Sequence, residues 1–242
     1  MLDLLNKRSM PSTIYLIPCV LAEDANHTIP LYIIDAVKDC SVIFAENERT
    51  ARRFFKSIWK EMNIDAYTWF TIHKAEEEQI THFKQQIQAG KNIAIISEAG
   101  CPGIADPGQV LIRIAQQLNI TVRPLVGPSS ILLALMASGM NGQQFEFVGY
   151  LPIDNGERIK AIKSLETASV KNKSTKIFIE TPYRNNQLME TLLNACSAHT
   201  QLCVAVDITG TSEQIATRAI EQWRTQKWDI HKRPAIFLLY GG

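Results

Sequence analysis

The chain has 242 residues with 46% hydrophobic and 20% charged side chains, the material of a folded globular protein rather than a disordered one. Its 25 Lys plus Arg against 24 Asp plus Glu leave a net charge of +1, which excludes a whole-molecule field for nucleic acid. No run approaches the roughly 20 apolar residues that span a bilayer, and the opening MLDLLNKRSMPST lacks the continuous apolar stretch of a signal peptide, so no membrane partner is expected.

TIYLIPC at 13–19 reads as a buried strand ended by Pro18. IPLYIIDAV has helical spacing, and CSVIFAE at 40–46 reads as the next strand. Residues 48–61 place Phe54, Phe55, Ile58 and Trp59 on one side of a helix. A helix over 75–88, stopped by Gly90, feeds the strand NIAIIS. Strands separated by helices favour a mostly parallel sheet. After the loop EAGCPGIADPG, VLIRIAQQL restores helical periodicity and ITVRPLV forms a short strand. Gly127 and Pro128 break the chain ahead of SSILLALMASG, a nearly all-apolar helix ending near Gly139. NGQQ at 141–144 separates that helix from the strand FEFVGYLP, which puts the expected domains at 12–140 and 141–242.

The second half continues with a helix around 158–167, the strand STKIFIE, a helix over 185–195, the strand LCVAVDI, a helix near 213–223 and a final strand PAIFLLY. Alternation in FEFVGY beside the uninterrupted FLLY predicts a sheet with both parallel and antiparallel members. The five cysteines, Cys19, Cys40, Cys101, Cys196 and Cys203, form no CxxC pair and no zinc-like cluster. They predict a reducing, cytoplasmic setting, no metal, and core positions for most of them.

ISEAGCPGIADPG concentrates three glycines and two prolines directly after an apolar strand. Glycine admits positive φ and close backbone approach, while proline fixes φ and removes a donor. Such a loop can lay successive peptide groups against a ligand, and open α/β sheets bind ligands beyond the carboxyl ends of their strands. The plainer alternative is a sharp strand-to-helix connection, which would need fewer special residues. There is no GxGxxG after a strand and no GxxxxGKS, which disfavours nicotinamide and nucleoside triphosphate sites. Asp106 reads first as a cap or turn residue, and Glu98 as ligand-facing or solvated. In VRPLVGPSS, Ser129 or Ser130 can cap the hydrophobic helix or contact a ligand. The two loops together predict one cleft beside the same sheet.

SEAGCPGIADPG, VRPLVGPSSILLALMASG and FEFVGYLP, in this order and spacing, with IFIETPYRN further on, resemble the tetrapyrrole methylase superfamily. Within it the chain resembles the ribosomal small-subunit RNA 2′-O-methyltransferase I group. The resemblance implies an α/β, two-domain tetrapyrrole-methylase-like fold with an interdomain cofactor cleft, a homodimer, and S-adenosyl-L-methionine as cofactor. By position it implies cofactor contacts from Pro18, from Ser97, Glu98, Ala99, Gly100, Gly103, Ile104 and Ala105, from Ser129 and Ser130, and from Phe178 and Ala235 in the second domain. S-adenosylmethionine requires polar partners at its ends and an apolar enclosure, and transfer by displacement needs no catalytic triad.

Three segments depart from the ribosomal group. PTPIGNLxD reads IPCVLAED here, AEDTR becomes AENERT, with Glu46 kept and Asn47 neutral, and RELTK becomes VDITG, without its basic ends. Losing those cations removes phosphate partners. For a hydroxyl acceptor, an orienting carboxylate assists transfer. Glu46 and Asp106 are the leading candidates, ahead of Glu180, Glu213 and His73. Arg49, Arg52, Arg53 and Lys56 read as a solvated helix face or a phosphate contact, and Tyr183 and Arg184 as substrate contacts or ordinary packing. The acceptor stays open among ribosomal RNA, a tetrapyrrole or other small molecule, and none, as in a cofactor-binding regulatory protein.

Overall fold

The inner strands of the first half are apolar on both sides because both sides are covered. The computed structural model describes residues 12–241 except 73–75, 106–107 and 227, with the side chains of 76 and 77 likewise outside it. By its internal contacts the chain divides into two units, Met1–Pro128 and Ser129–Gly242.

In the first unit β1 (Thr13–Ile17), β2 (Val42–Ala45), β3 (Thr68–Thr71), β4 (Ile93–Ile96) and β5 (Thr121–Pro124) form a sheet in the order β3-β2-β4-β1-β5. Every pairing in it is parallel. The crossovers are α1 (Tyr32–Lys38), α2 (Glu48–Ile58), α3 (Glu76–Gln88) and α4 (Gln109–Gln117). Ile14, Val42, Phe44, Ile93 and Ile95 pack with Phe83, Leu111 and Ala115 of α3 and α4. Their neighbours Tyr15, Ile17, Ile43, Ala45, Ala94 and Ile96 pack with Ile33, Val37, Phe54 and Phe55 of α1 and α2. Alternate residues of a strand face opposite ways, so two cores need an unbroken apolar run. The sequence reading lacks β3: TWFT is a four-residue, partly exposed edge strand, too short to display a period.

The second unit contains α5 (Ser130–Ser138), β6 (Phe145–Tyr150), α6 (Asn155–Asn172), β7 (Thr175–Ile179), α7 (Asn185–Ala195), β8 (Gln201–Val206), β9 (Gln214–Ala219), α8 (Ile220–Thr225) and β10 (Ala235–Tyr240). Its sheet runs β6-β7-β10-β8-β9, with β6 and β7 parallel and the other pairs antiparallel. Helix α5 packs on β9 and β10. The contact division therefore falls before this helix, whereas the boundary read from NGQQ falls after it.

The helix expected over 213–223 is instead a strand and a short helix. QIATRA pairs with β8 from Gln201↔Ala219 to Val206↔Gln214, and helix begins only at Ile220. Left-handed backbone at Asp207 (φ 49°) and Thr209 (φ 71°) turns the hairpin, and the six-residue ladder outweighs local helical preference. Among the described residues no helix is long and apolar enough to cross a membrane.

Trp223 anchors this corner. It is fully buried, its Nε1–H donates to the Leu202 carbonyl at 2.8 Å, and the Arg218 guanidinium lies 4.4 Å from its ring centroid. Trp223→Ala is expected to lower the unfolding free energy by about 3–5 kcal/mol in a urea titration, and a loss below about 1 kcal/mol would contradict this packing.

Candidate functional site

A parallel sheet brings all its strands' carboxyl ends to one edge. Ile17 and Ala45 both stand in register with Ile96, and Leu16 with Pro124, so the loops after β1, β2, β4 and β5 start side by side. The Glu46 N–H donates to the Ile96 carbonyl at 3.0 Å, extending the β2–β4 ladder, and the Glu98 N–H then donates to Glu46 Oε2 at 2.9 Å. On the other side Cys19 and Gly100 exchange backbone hydrogen bonds of 2.8 and 3.1 Å. Buried Ser97 donates through Oγ to the Ala99 carbonyl at 3.1 Å, and Thr50 Oγ1 donates to Glu98 Oε1 at 3.3 Å. The loop after β4 is thus strapped to β1, to β2 and to the first turn of α2.

Its course depends on backbone that ordinary residues avoid. Gly100 has φ +69° and Gly103 φ +79°, and a Cβ at Gly103 would stand 2.8 Å from Ile112 Cδ1. Ala105 has φ 62° despite its side chain, a conformation costing about 1–2 kcal/mol. Ser97 and Gly100 are buried, while Glu98, Ala99, Ile104 and Ala105 are exposed. The loop therefore presents peptide groups on a fixed frame.

The loop after β5 meets it. Cys101 Sγ donates to the Pro128 carbonyl at 3.5 Å, and a Cβ on Gly127 would fall 2.1 Å from Pro18 Cβ. Only glycine fits against Pro18 there. In the second unit Ser129 occupies the N-cap position of α5, but its side chain makes no capping hydrogen bond, and Ser130 is the first helical residue.

Asp106 and His73 lie outside the described residues. Phe178 is fully buried and stacks on Phe237 at 5.9 Å, so its ring packs within the second unit, and Ala235 opens β10 opposite Val206. Burial pushes the Glu180 carboxyl up. Hydrogen bonds from Arg184 at 2.7 Å and from the Thr181 N–H at 2.6 Å outweigh it and hold the group below the usual carboxylate range. A carboxylate held in that way is a poor base. Glu213 accepts the Thr209 N–H at 2.7 Å and closes its own hairpin. Tyr183 is exposed, with the Lys232 ammonium 5.8 Å from its ring. In the basic run, Arg52 pairs with Glu48 and lies 5.1 Å from the Trp69 ring, and Lys56 donates to the Lys60 carbonyl at 2.8 Å. Burial raises the Cys19 thiol to about 12, so it packs rather than reacts.

Sequence reasoning missed a cavity of about 330 Å³ against this loop, walled by Val20, Leu21, Asn26, Phe54, Ser57, Glu98 and their neighbours. Its trace is the spacing of Thr50, Phe54 and Ser57, which share one side of α2. Asn47, neutral where the related pattern is acidic, caps that helix by accepting the Arg49 and Thr50 N–H groups at 3.1 and 3.3 Å.

Comparisons place this geometry among known proteins. A ribosomal RNA small subunit methyltransferase I of Micromonospora olivasterospora is 31% identical over 71% of this chain, a stretch that spans about half (52%) of that relative. Those of Vibrio cholerae (28% identical, 86% of this chain and 70% of the relative) and Bacillus subtilis (32%, 77% and 60%) are also similar. Among solved structures, the methyltransferase CobJ superposes with a TM-score of 0.63 at 15% identity, over 96% of this chain and 94% of that one. Uroporphyrin-III C-methyl transferase from Thermus thermophilus, complexed with S-adenyl homocysteine, does so with a TM-score of 0.56 at 13% identity, over 95% and 97%. The two share the fold with this chain. Residues 27–222 match the family described as Tetrapyrrole (Corrin/Porphyrin) Methylases, and the chain belongs to that family.

Proposed function

We propose that this chain is an S-adenosylmethionine-dependent methyltransferase that modifies small-subunit ribosomal RNA, at a ribose 2′-oxygen. The observation that carries the cofactor reading is the strapped loop over 97–105, whose exposed peptide groups stand on a frame fixed by the Cys19–Gly100 and Glu46–Glu98 bonds. The RNA reading is supported by the relatives named ribosomal RNA small subunit methyltransferase I.

The residues present fit such a cofactor. The Ala99 N–H and the carbonyls of Glu98 and Ile104, which the loop's own hydrogen bonds leave over, suit its polar ends, and the Ile104 side chain, 53% exposed, offers apolar cover. The cofactor supplies an electrophilic methyl group on a sulfonium sulfur. The protein's task is to hold an acceptor hydroxyl in line and to exclude water, which is orientation rather than covalent catalysis. Glu46 acts in this scheme as a positioning residue, because its carboxylate is engaged by the loop's own N–H. Pro18 and Gly127 form a wall with no room for a side chain at position 127.

We also propose a homodimer, supported by Leu132 and Met136, which leave an apolar stripe exposed one turn apart on α5. A cytoplasmic setting accords with five cysteines that no disulfide joins.

Labelled methyl transfer to small-subunit particles, free small-subunit RNA and a porphyrinogen tests the activity. The expected result is label in RNA, recovered in an alkali-resistant dinucleotide; label in the porphyrinogen, or in nothing, contradicts the proposal. For the loop, Gly100→Val places a β-branched residue at φ +69° and is expected to weaken S-adenosylhomocysteine binding at least about tenfold in calorimetry, with an unchanged circular dichroism spectrum. Wild-type affinity in that variant would remove the loop from the site.

A further inference from the structure

The cavity beside α2 belongs to no role described so far. We infer that it is the acceptor subsite and takes one unstacked nucleotide of an RNA strand, an inference that rests on the RNA-methyltransferase reading above.

Position comes first. Glu98 and Ala99 belong both to the cavity wall and to the strapped loop, so an occupant of the cavity abuts the place proposed for the cofactor. Size comes second. At about 330 Å³ the cavity stands at the lower end of small-ligand sites, which run from about 300 to 1,000 Å³. It has room for one base and its sugar.

Chemistry comes third. Val20, Leu21, Ala22 and the buried face of Phe54 give apolar surface for a base, and Asn26, Thr50 and Ser57 give an amide and two hydroxyls for its edge and its ribose. Ser57 Oγ donates to the Phe54 carbonyl at 2.7 Å and lies 3.2 Å from Asn26 Oδ1, so this rim is already ordered. Unstacked bases are recognised by such a mixture of flat apolar contact and edge hydrogen bonds.

At the mouth stands Arg53. Its nearest anion, Glu23, is 4.0 Å away, and the two side chains are 68% and 98% exposed, a pairing too loose and wet to hold it. Arg49 lies one turn earlier on the same side of α2 and is exposed. Arg52 and Lys56, by contrast, are engaged by Glu48 and the Lys60 carbonyl. Arg53 thus stands at the cavity with Arg49 exposed one turn before it on α2, a pair of cations that a strand's phosphates could meet.

The test uses the full chain saturated with S-adenosylhomocysteine and a short single-stranded RNA carrying one 4-thiouridine. After irradiation the cross-linked peptides are mapped by mass spectrometry, and methyl transfer and S-adenosylhomocysteine affinity are measured on two variants. Cross-links are expected within 19–26 or 50–57. Ala22→Leu, which fills the cavity, is expected to cut transfer at least about tenfold, and Arg53→Ala to raise KM for RNA about fivefold, each with cofactor affinity within about twofold of wild type. Cross-links elsewhere, with both variants transferring at the wild-type rate, overturn the subsite and leave the methyltransferase reading standing. An equal loss of cofactor affinity in the variants also overturns it, by giving the cavity to the cofactor. Absence of transfer from the wild-type protein to any RNA defeats the underlying reading, and the inference falls with it.

Discussion

The reciprocal backbone pair between Cys19 and Gly100 is the constraint on which the site depends. Two peptide groups that would otherwise face solvent after β1 and β4 satisfy each other, at 2.8 and 3.1 Å. The pair turns the end of a parallel ladder into a closed frame, since β1 and β4 are already neighbours in the sheet. Everything nearby follows from that closure. Gly100 must adopt φ +69° to reach Cys19, Pro18 is brought flush against Gly127, and Glu98 is carried to the carboxylate of Glu46 at the end of β2. A loop held at three points presents its remaining peptide groups with little entropy left to lose on binding.

The same closure accounts for the choice of residues around it. A buried thiol at Cys19 fills space without competing for the ligand, and Gly127 is required because any side chain would strike Pro18. Thr50 and Glu46 belong to adjoining elements, the first turn of α2 and the end of β2, and both grip Glu98.

Much of this was legible in the sequence because its causes are local. Unbroken apolar runs such as NIAIIS announce strands covered on both faces, and glycines and prolines after such a run announce a loop with unusual backbone. Other parts left no local trace. The partners Cys19 and Gly100 are distant in the chain, and nothing in IPC or AGC marks them as a pair. TWFT is a strand only because β2 lies beside it, and QIATRA is a strand because β8 offers a ladder that its own propensities do not specify. The segment VDITG, basic at both ends in the ribosomal pattern, closes its own hairpin here: Asp207 accepts from Arg233 and Ser212, each at 2.8 Å. That spends the Asp207 carboxylate within the second unit.

The central claim is that the strapped loop holds the cofactor through its backbone. Amide chemical-shift mapping of the labelled protein during titration with S-adenosylhomocysteine tests it directly, because it reports each peptide group separately. The account predicts that the largest and saturable shifts fall on the amides of 97–105 and on Gly127. Saturable binding that leaves those amides unmoved while shifting others would contradict it.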